Sequence, residues 1–312
     1  MELIEQYQPE FLLRFDARET RCDCPRCKDA DKAWPHSYVK LKNQQRDSLD
    51  IRCETAAAEM LLNPDAFVLH EGRIAADAEE ILSDWSETLN QQCINLAIHP
   101  TLSLEVSLYA IGVLLSKAQQ YRDKGESSPA LLEDMSKQLS LLAEQDILAQ
   151  QFAMLPPIKE NRVAALKELG AMRLDLNLPM VEKIGLALKL SELSVMQPAR
   201  LLDRLHELES AWSEVALFRD NPYIMRNFLL YSLYNDVFPG VDCASYGEAF
   251  LNLARQVFLF KMLCACRAEQ KPLEKEDIAP LVSALRDWQP ENAEAVTGNT
   301  PDYSLLYGLS LL

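Results

Sequence analysis

From Ser48 onward the apolar residues of this chain recur at three- and four-residue spacing almost without pause, and this periodicity constrains the fold more than any other feature. In 198–218, for example, Leu201, Leu202, Leu205, Leu208, Trp212 and Val215 trace one helical face. The pattern predicts helices near 53–62, 75–98, 102–123, 129–152, 159–171, 179–194, 198–218, 222–236, 245–268 and 275–288. Punctuation agrees with it. Ser128-Pro129 and Asn221-Pro222 place proline at helix starts, Gly125 follows a helix end, and Phe238-Pro239-Gly240 stops another. No alternating strand pattern competes, and nine glycines in 312 residues are fewer than a turn-rich sheet fold uses. The expected fold class is therefore all-α: a multi-helix, single-core, bundle-like domain over 53–292. Beyond it, 293–312 reads as a flexible tail through Gly298, Asn299, Thr300 and Pro301. Its apolar end, Tyr303–Leu312, would dock on the body or bind a partner.

The first 52 residues differ. From Arg14 to Arg52 there are ten Lys/Arg against seven Asp/Glu, a local positive excess in a chain of net charge −16. Apart from Phe11-Leu12-Leu13 the segment shows little helical periodicity, and Pro25 and Trp34-Pro35 signal turns. It reads as a small, irregular, cysteine-containing module that needs something to organise it. The acidity of the whole repels phosphate backbones, so nucleic acid is not an expected partner. Neither is a membrane: Val106–Leu115 is too short to span one, and Lys261 interrupts Val257–Cys266. The opening Met-Glu-Leu-Ile-Glu-Gln lacks the basic and apolar regions of a secretory signal, so the expected location is the cytoplasm. There, eight cysteines are reduced thiols, core fillers or metal ligands.

Cys22-Asp-Cys24-Pro-Arg-Cys27 is the sharpest local signal. Three thiols within six residues can face one centre if the backbone curls, and Pro25 assists the curl. Cys53 is the natural fourth ligand, with His36 the other candidate. Four thiolates complete either a zinc site or an iron–sulfur cluster, and the spacing does not choose between them. Arg18, Arg21, Arg26 and Lys28 would stabilise the negative charge of such a site. Cys264 and Cys266, on an apolar helix, read as core, as do Cys93 and Cys243. His70, His99 and His206 lack ligand spacing. No Gly-x-Gly-x-x-Gly, Walker loop, Gly-x-Ser-x-Gly or His-Glu-x-x-His occurs. In Asn221–Pro239, Tyr223, Asn227, Tyr231 and Tyr234 share a helical face. Such a face packs as core or lines a polar pocket able to hold a cation against its rings.

The order of these features resembles the bacterial flagellin lysine N-methylase (FliB) family. Arg226-Asn227-Phe-Leu-Leu-Tyr231-Ser-Leu-Tyr234-Asn-Asp-Val-Phe238-Pro239 looks like the family's Arg-Asn-x3-Tyr signature ending in Phe-Pro, and a long apolar helix (245–268) and an acidic-start helix (Glu274–Trp288) follow it. Upstream, Ser48-Leu49-Asp-Ile-Arg-Cys53 resembles a Ser-Leu-x3-Cys motif, Asn63-Pro64-Asp65-Ala66 follows it, and Trp34-Pro35 resembles an aromatic-Pro pair. The cysteines depart from the family's Cys-x4-Cys-x3-Cys-Cys pattern. Aligned on Phe15, its four positions hold Ala17, Cys22, Arg26 and Cys27; a further family cysteine falls on Asp31, and Cys24 is extra. Gln289-Pro290-Glu291-Asn292 stands where the family often has a His-Asn pair. The chain thus resembles either a shortened member with a rearranged cysteine site or a degenerate relative.

The resemblance implies methyl transfer from S-adenosylmethionine to lysine ε-amines of flagellin or another protein substrate, with a 4Fe–4S iron–sulfur cluster or, alternatively, zinc on Cys22, Cys24, Cys27 and Cys53. Lysine, with a pKa of about 10.4, must lose a proton before it can attack, which desolvation and aromatic walls favour. On this reading Tyr231 and Asn227 are the candidate catalytic pocket residues, and Arg226 would hold the donor's carboxylate. The competing expectation is a non-catalytic helical binding protein with structural zinc or no metal. A redox sensor built on the Cys22/Cys24/Cys27 trio is the third.

Overall fold

Pro129 starts a helix where the sequence predicts it, and three serines that the sequence pattern does not single out cap others. The side chains of Ser83, Ser103 and Ser245 accept the N–H groups of Ser86, Val106 and Glu248, and Pro129 and Pro198 occupy first-turn positions. The computed structural model describes residues 3–20, 22–28, 33–41, 43–75, 82–156, 158–172, 176–240, 243–288 and 303–312. Arg21, Asp31, Gln289–Asn292 and the linker residues Gly298–Pro301 lie outside them.

In chain order the elements are β1 (Leu3–Pro9), α1 (Glu10–Asp16), α2 (Pro25–Lys28), β2 (His36–Lys40), β3 (Gln44–Leu49), α3 (Glu54–Leu62), β4 (Leu69–Ala75), α4 (Asp84–Ala97) and α5 (Leu104–Asp123). Then follow α6 (Pro129–Glu144), α7 (Ile147–Ala153), α8 (Glu160–Leu169), α9 (Met180–Val195), α10 (Pro198–Ser213), α11 (Ala216–Asp220), α12 (Tyr223–Asn235), α13 (Tyr246–Ala268), α14 (Lys275–Asp287) and α15 (Ser304–Ser310). The protein is mostly helical, as expected. Two predicted helices are broken. Asp146, at φ 59°, divides 129–152, and extended backbone at Val215 divides 198–218.

The N-terminal segment is not irregular. It contributes three strands to a four-stranded sheet in the order β2-β3-β1-β4, with β1 parallel to β3 and antiparallel to β4, and β2 antiparallel to β3. The fourth strand, β4, comes from the region expected to be wholly helical, and its last residue, Ala75, stands where the predicted helix 75–98 begins. The strands of this sheet escaped the periodicity because they are polar. Gln6 and Gln8 both donate to Asp47, and buried Arg46 donates to Asn90 of α4 at 2.7 Å. Apart from the local β2–β3 hairpin, pairing partners tens of residues apart, not side-chain alternation, specify this sheet.

One apolar core runs from Phe11 and Leu12 through Cys24, Cys27 and Cys53 to the central helix α13 and on to Leu311. By length and mean hydropathy (1.4) α13 could cross a membrane, but 67% of that apolar window is buried in this fold. Packing against α5, α10, α14 and α15 accounts for its composition. The C-terminal segment docks on it. A Cβ on Gly308 would come within 2.6 Å of the Phe250 ring and 3.1 Å of the Leu251 backbone. Gly308→Val is therefore expected to cost about 1–3 kcal/mol by overpacking. Thermal unfolding and faster proteolysis near residue 303 would show it; an unchanged Tm would mean that α15 is not held there.

Candidate metal centre and adjoining cavity

After α1 the chain turns tightly. The N–H groups of Cys27 and Lys28 both donate to the Cys24 carbonyl, closing α2. Cys53 meets this turn from the N-cap of α3, a helix start that favours negative charge. Cys22, Cys24, Cys27 and Cys53 consequently present four sulfurs all within 4.8 Å of one another, with Cys27 and Cys53 3.4 Å apart. Three of the four are buried and Cys22 is half-buried. The Thr55 hydroxyl donates to the Cys22 sulfur at 2.9 Å and the Cys24 N–H at 3.4 Å.

The charge on this set is unevenly held. A hydrogen bond from Cys53, with those from Thr55 and the Cys24 N–H, outweighs burial and lowers the Cys22 thiol to about 4. The Cys22 sulfur in turn keeps the proton on Cys53, and burial pushes Cys27 up to about 12. A bound cation would draw the remaining protons off, which is the chemistry of a tetrathiolate metal site. The donor set fits such a site.

The other predicted neighbours are elsewhere. His36 is paired with Asp16 at 2.7 Å. Arg18 pairs with Glu59 and Arg26 with Asp287, so these guanidiniums answer carboxylates, not sulfur. Cys93, Cys264 and Cys266 are core, and Cys243 is half-buried.

On the face of α12 with the shared phenols, each polar tip meets a backbone carbonyl. Tyr223 donates to Leu62, Tyr231 to Leu49 at 2.9 Å, and Tyr234 to Tyr7 and Asp47. The Asn227 amide donates to Met60 and Asn63, capping the end of α3. This row of donors seats α12 on α3 and the sheet. Arg226 reaches toward the Leu102 carbonyl at 3.5 Å. Burial raises the Tyr231 phenol, so it stays a donor at neutral pH.

Of these three predicted residues Tyr231 alone lines the cavity of about 720 Å³ between the sheet, α12, α13 and α14. Asp50 and Arg52 form one wall, Phe228 and Tyr231 the second, Arg255 and Leu259 the third, and Arg286, Asp287 and Trp288 the fourth. Arg52 is bound to Asp50 and stands 5.0 Å over the Trp34 ring, Arg286 grips Asp236 with two bonds, and Arg255 pairs with Glu168. The Nε of Arg255 is buried without a partner among the described residues. Two metal-site positions touch this cavity through their chain neighbours: Arg52 precedes Cys53, and Arg26, which pairs with Asp287, precedes Cys27. Sequence reasoning missed Arg52, Arg255 and Arg286, although Arg52 lies inside the Ser48–Cys53 motif and Arg286 near the end of the acidic-start helix.

The profile of the FliB lysine N-methylase C-terminal domain matches residues 90–297. The chain belongs to the FliB lysine N-methylase family. Two lysine-N-methylases, from Salmonella choleraesuis (strain SC-B67) and Salmonella typhimurium (strain LT2), are each 21% identical to it over 279 residues, covering 84% of this chain and 68% of theirs. No solved structure matches. The FliB match contains α12, α13 and α14 but not Cys22–Cys53. The cavity thus lies where the FliB C-terminal domain meets the N-terminal sheet.

Proposed function

We propose that this protein is a cytoplasmic protein-lysine N-methyltransferase that uses S-adenosylmethionine, with flagellin as its substrate. The observation that carries the reading is the cavity built against the family's signature helix. Its volume lies in the range of small-molecule sites. Its walls combine aromatic rings, guanidiniums and carboxylates, the chemistry an amino-acid sulfonium needs. Bound S-adenosylmethionine supplies an electrophilic methyl group.

The chain's own residues then have separable tasks. Phe228, Tyr231 and Trp288 line the cavity with aromatic rings able to meet a cation, as the Tyr231 ring already meets Arg286 at 5.6 Å. Arg255 lines the cavity whereas Arg226 does not, so it is better placed to receive a carboxylate, which it would share with Glu168. Asp50 and Asp287, each already paired with an arginine, are the two lining carboxylates that can share a bond with the incoming lysine ammonium, and apolar Leu259 and Leu285 favour its neutral, nucleophilic form. Tyr231 acts as wall and hydrogen-bond donor, and Asn227 holds α12 in place. The net charge of −16 favours encounter with a lysine-rich protein surface.

Calorimetric titration with S-adenosylmethionine, followed by transfer of labelled methyl groups to purified flagellin, tests this reading. Binding and labelled lysine are expected. Asn252→Trp, a change at an exposed position on the cavity wall, is expected to weaken donor binding at least about tenfold with an unchanged Tm. Absence of both donor binding and transfer would leave a helical binding protein as the correct account.

A further inference from the structure

The spacing of the four sulfurs discriminates between the two kinds of metal centre that a four-cysteine set can hold. A single tetrahedral ion with metal–sulfur bonds of about 2.3 Å holds its thiolates about 3.8 Å apart. A 4Fe–4S cubane binds each thiolate on a different corner iron, which places them about 6.4 Å apart. Here no pair exceeds 4.8 Å and the Cys27–Cys53 pair is at 3.4 Å. We propose that Cys22, Cys24, Cys27 and Cys53 hold one zinc ion in a closed tetrahedral site, and that this chain does not carry an iron–sulfur cubane.

Three further features support zinc. Four thiolates from the chain fill all four positions, leaving none open for substrate or water, so the site is structural. Among first-row divalent ions a site of this kind prefers zinc to ferrous iron. The surroundings also leave little room for expansion: Cys24, Cys27 and Cys53 are at most 3% exposed and belong to the continuous core. Moving the sulfurs apart to cubane spacing would displace the start of α3, which is held from behind by the Ser283 hydroxyl donating to the Arg52 carbonyl at 2.6 Å. The ion would join the α1–α2 turn to α3. The zinc assignment is independent of any methyl transfer.

The test is anaerobic purification of the full chain, followed by metal and acid-labile sulfide analysis and an absorption spectrum. The expected result is about one zinc per chain, no sulfide, and no broad band at about 400 nm. Cobalt exchanged into the site should give the intense visible bands of a tetrahedral tetrathiolate. Cys24→Ser and Cys53→Ser should each weaken zinc binding at least about tenfold, and Cys93→Ser, a core thiol outside the site, should leave it unchanged. If a serine variant fails to fold, removal and return of zinc on the wild-type protein, read by Tm, gives the same answer. Iron with sulfide, one iron without sulfide, or a chain that folds with no metal would each overturn the proposal.

Discussion

Arg267→Ala is expected to destabilise the protein by about 3–5 kcal/mol, measured by urea unfolding at neutral pH. Arg267 is fully buried at the end of α13, where its guanidinium pairs with Glu182 of α9 and with Asp277 of α14 at 2.8 Å, and donates to Gln270 at 2.9 Å. Asp277 is itself only 4% exposed and completes the capping box of α14 with Glu274. Truncation would strand that carboxylate with Lys271 as its remaining cation, at 3.3 Å. Arg267→Met with Asp277→Asn should recover much of the loss, because the buried charge goes with its partner. The pH dependence has a definite sign. Burial raises the Asp277 carboxyl, but the Glu274 N–H and Arg267 outweigh it and hold it below its ordinary value. Its contribution is therefore complete above the ordinary aspartate value of about 3.9 and is lost as pH falls through the lower folded value. The wild-type advantage over Arg267→Ala should shrink in that acid range. A cost below about 1 kcal/mol at pH 7 would show that the pair does not hold the two helices. Because α14 carries Leu285, Arg286 and Asp287, its loosening should also disturb the cavity.

Asn90→Ala is expected to cost about 3 kcal/mol. Asn90 is fully buried on α4 and satisfies three groups at once. Its amide donates to the carbonyls of Leu233 at 2.8 Å and Phe238 at 2.7 Å, and its oxygen accepts Arg46 from the sheet. Arg46 is 4% exposed and stacked 5.5 Å over Tyr234; burial lowers its pKa. Without Asn90 its guanidinium keeps Gln44 at 3.3 Å as a hydrogen-bond partner. A double-mutant cycle with Arg46→Met should give a coupling energy above about 1 kcal/mol by chemical denaturation. Additive losses would mean that the two side chains act separately, and that the α12 end is not tied to the sheet through them.

The two sites lie on different parts of the fold, and together they show how far local pattern reaches. The helices of the body were legible because each buries one stripe against a common core, which imposes a 3.6-residue period on the sequence. Their interruptions at Asp146 and Val215 carried no such mark, since an apolar stripe continues across a break. The sheet was not legible at all. Its polar strands are stabilised by partners 41 and 39 residues away, such as Gln6 and Gln8 on Asp47, so nothing within one strand announces it. The shared face of Tyr223, Asn227, Tyr231 and Tyr234 was legible as a face, but its partners were not. It meets carbonyls at the end of α3 and in the sheet, and a carbonyl leaves no trace in side-chain identity.

The sequence by itself determined the helical class and the grouping of Cys22, Cys24 and Cys27, with Cys53 or His36 left as the fourth ligand. Both follow from short-range spacing and from the few residue types that can do the work. Tertiary structure alone decided that Tyr231 and not Asn227 or Arg226 reaches the cavity, that Arg52, Arg255 and Arg286 supply its positive charge, and that four sulfurs close to within 4.8 Å. Those facts depend on distances between residues far apart in the chain, or on the side of a helix that happens to face a gap. Such distances are set by the packing of the whole core, which no window of the sequence contains.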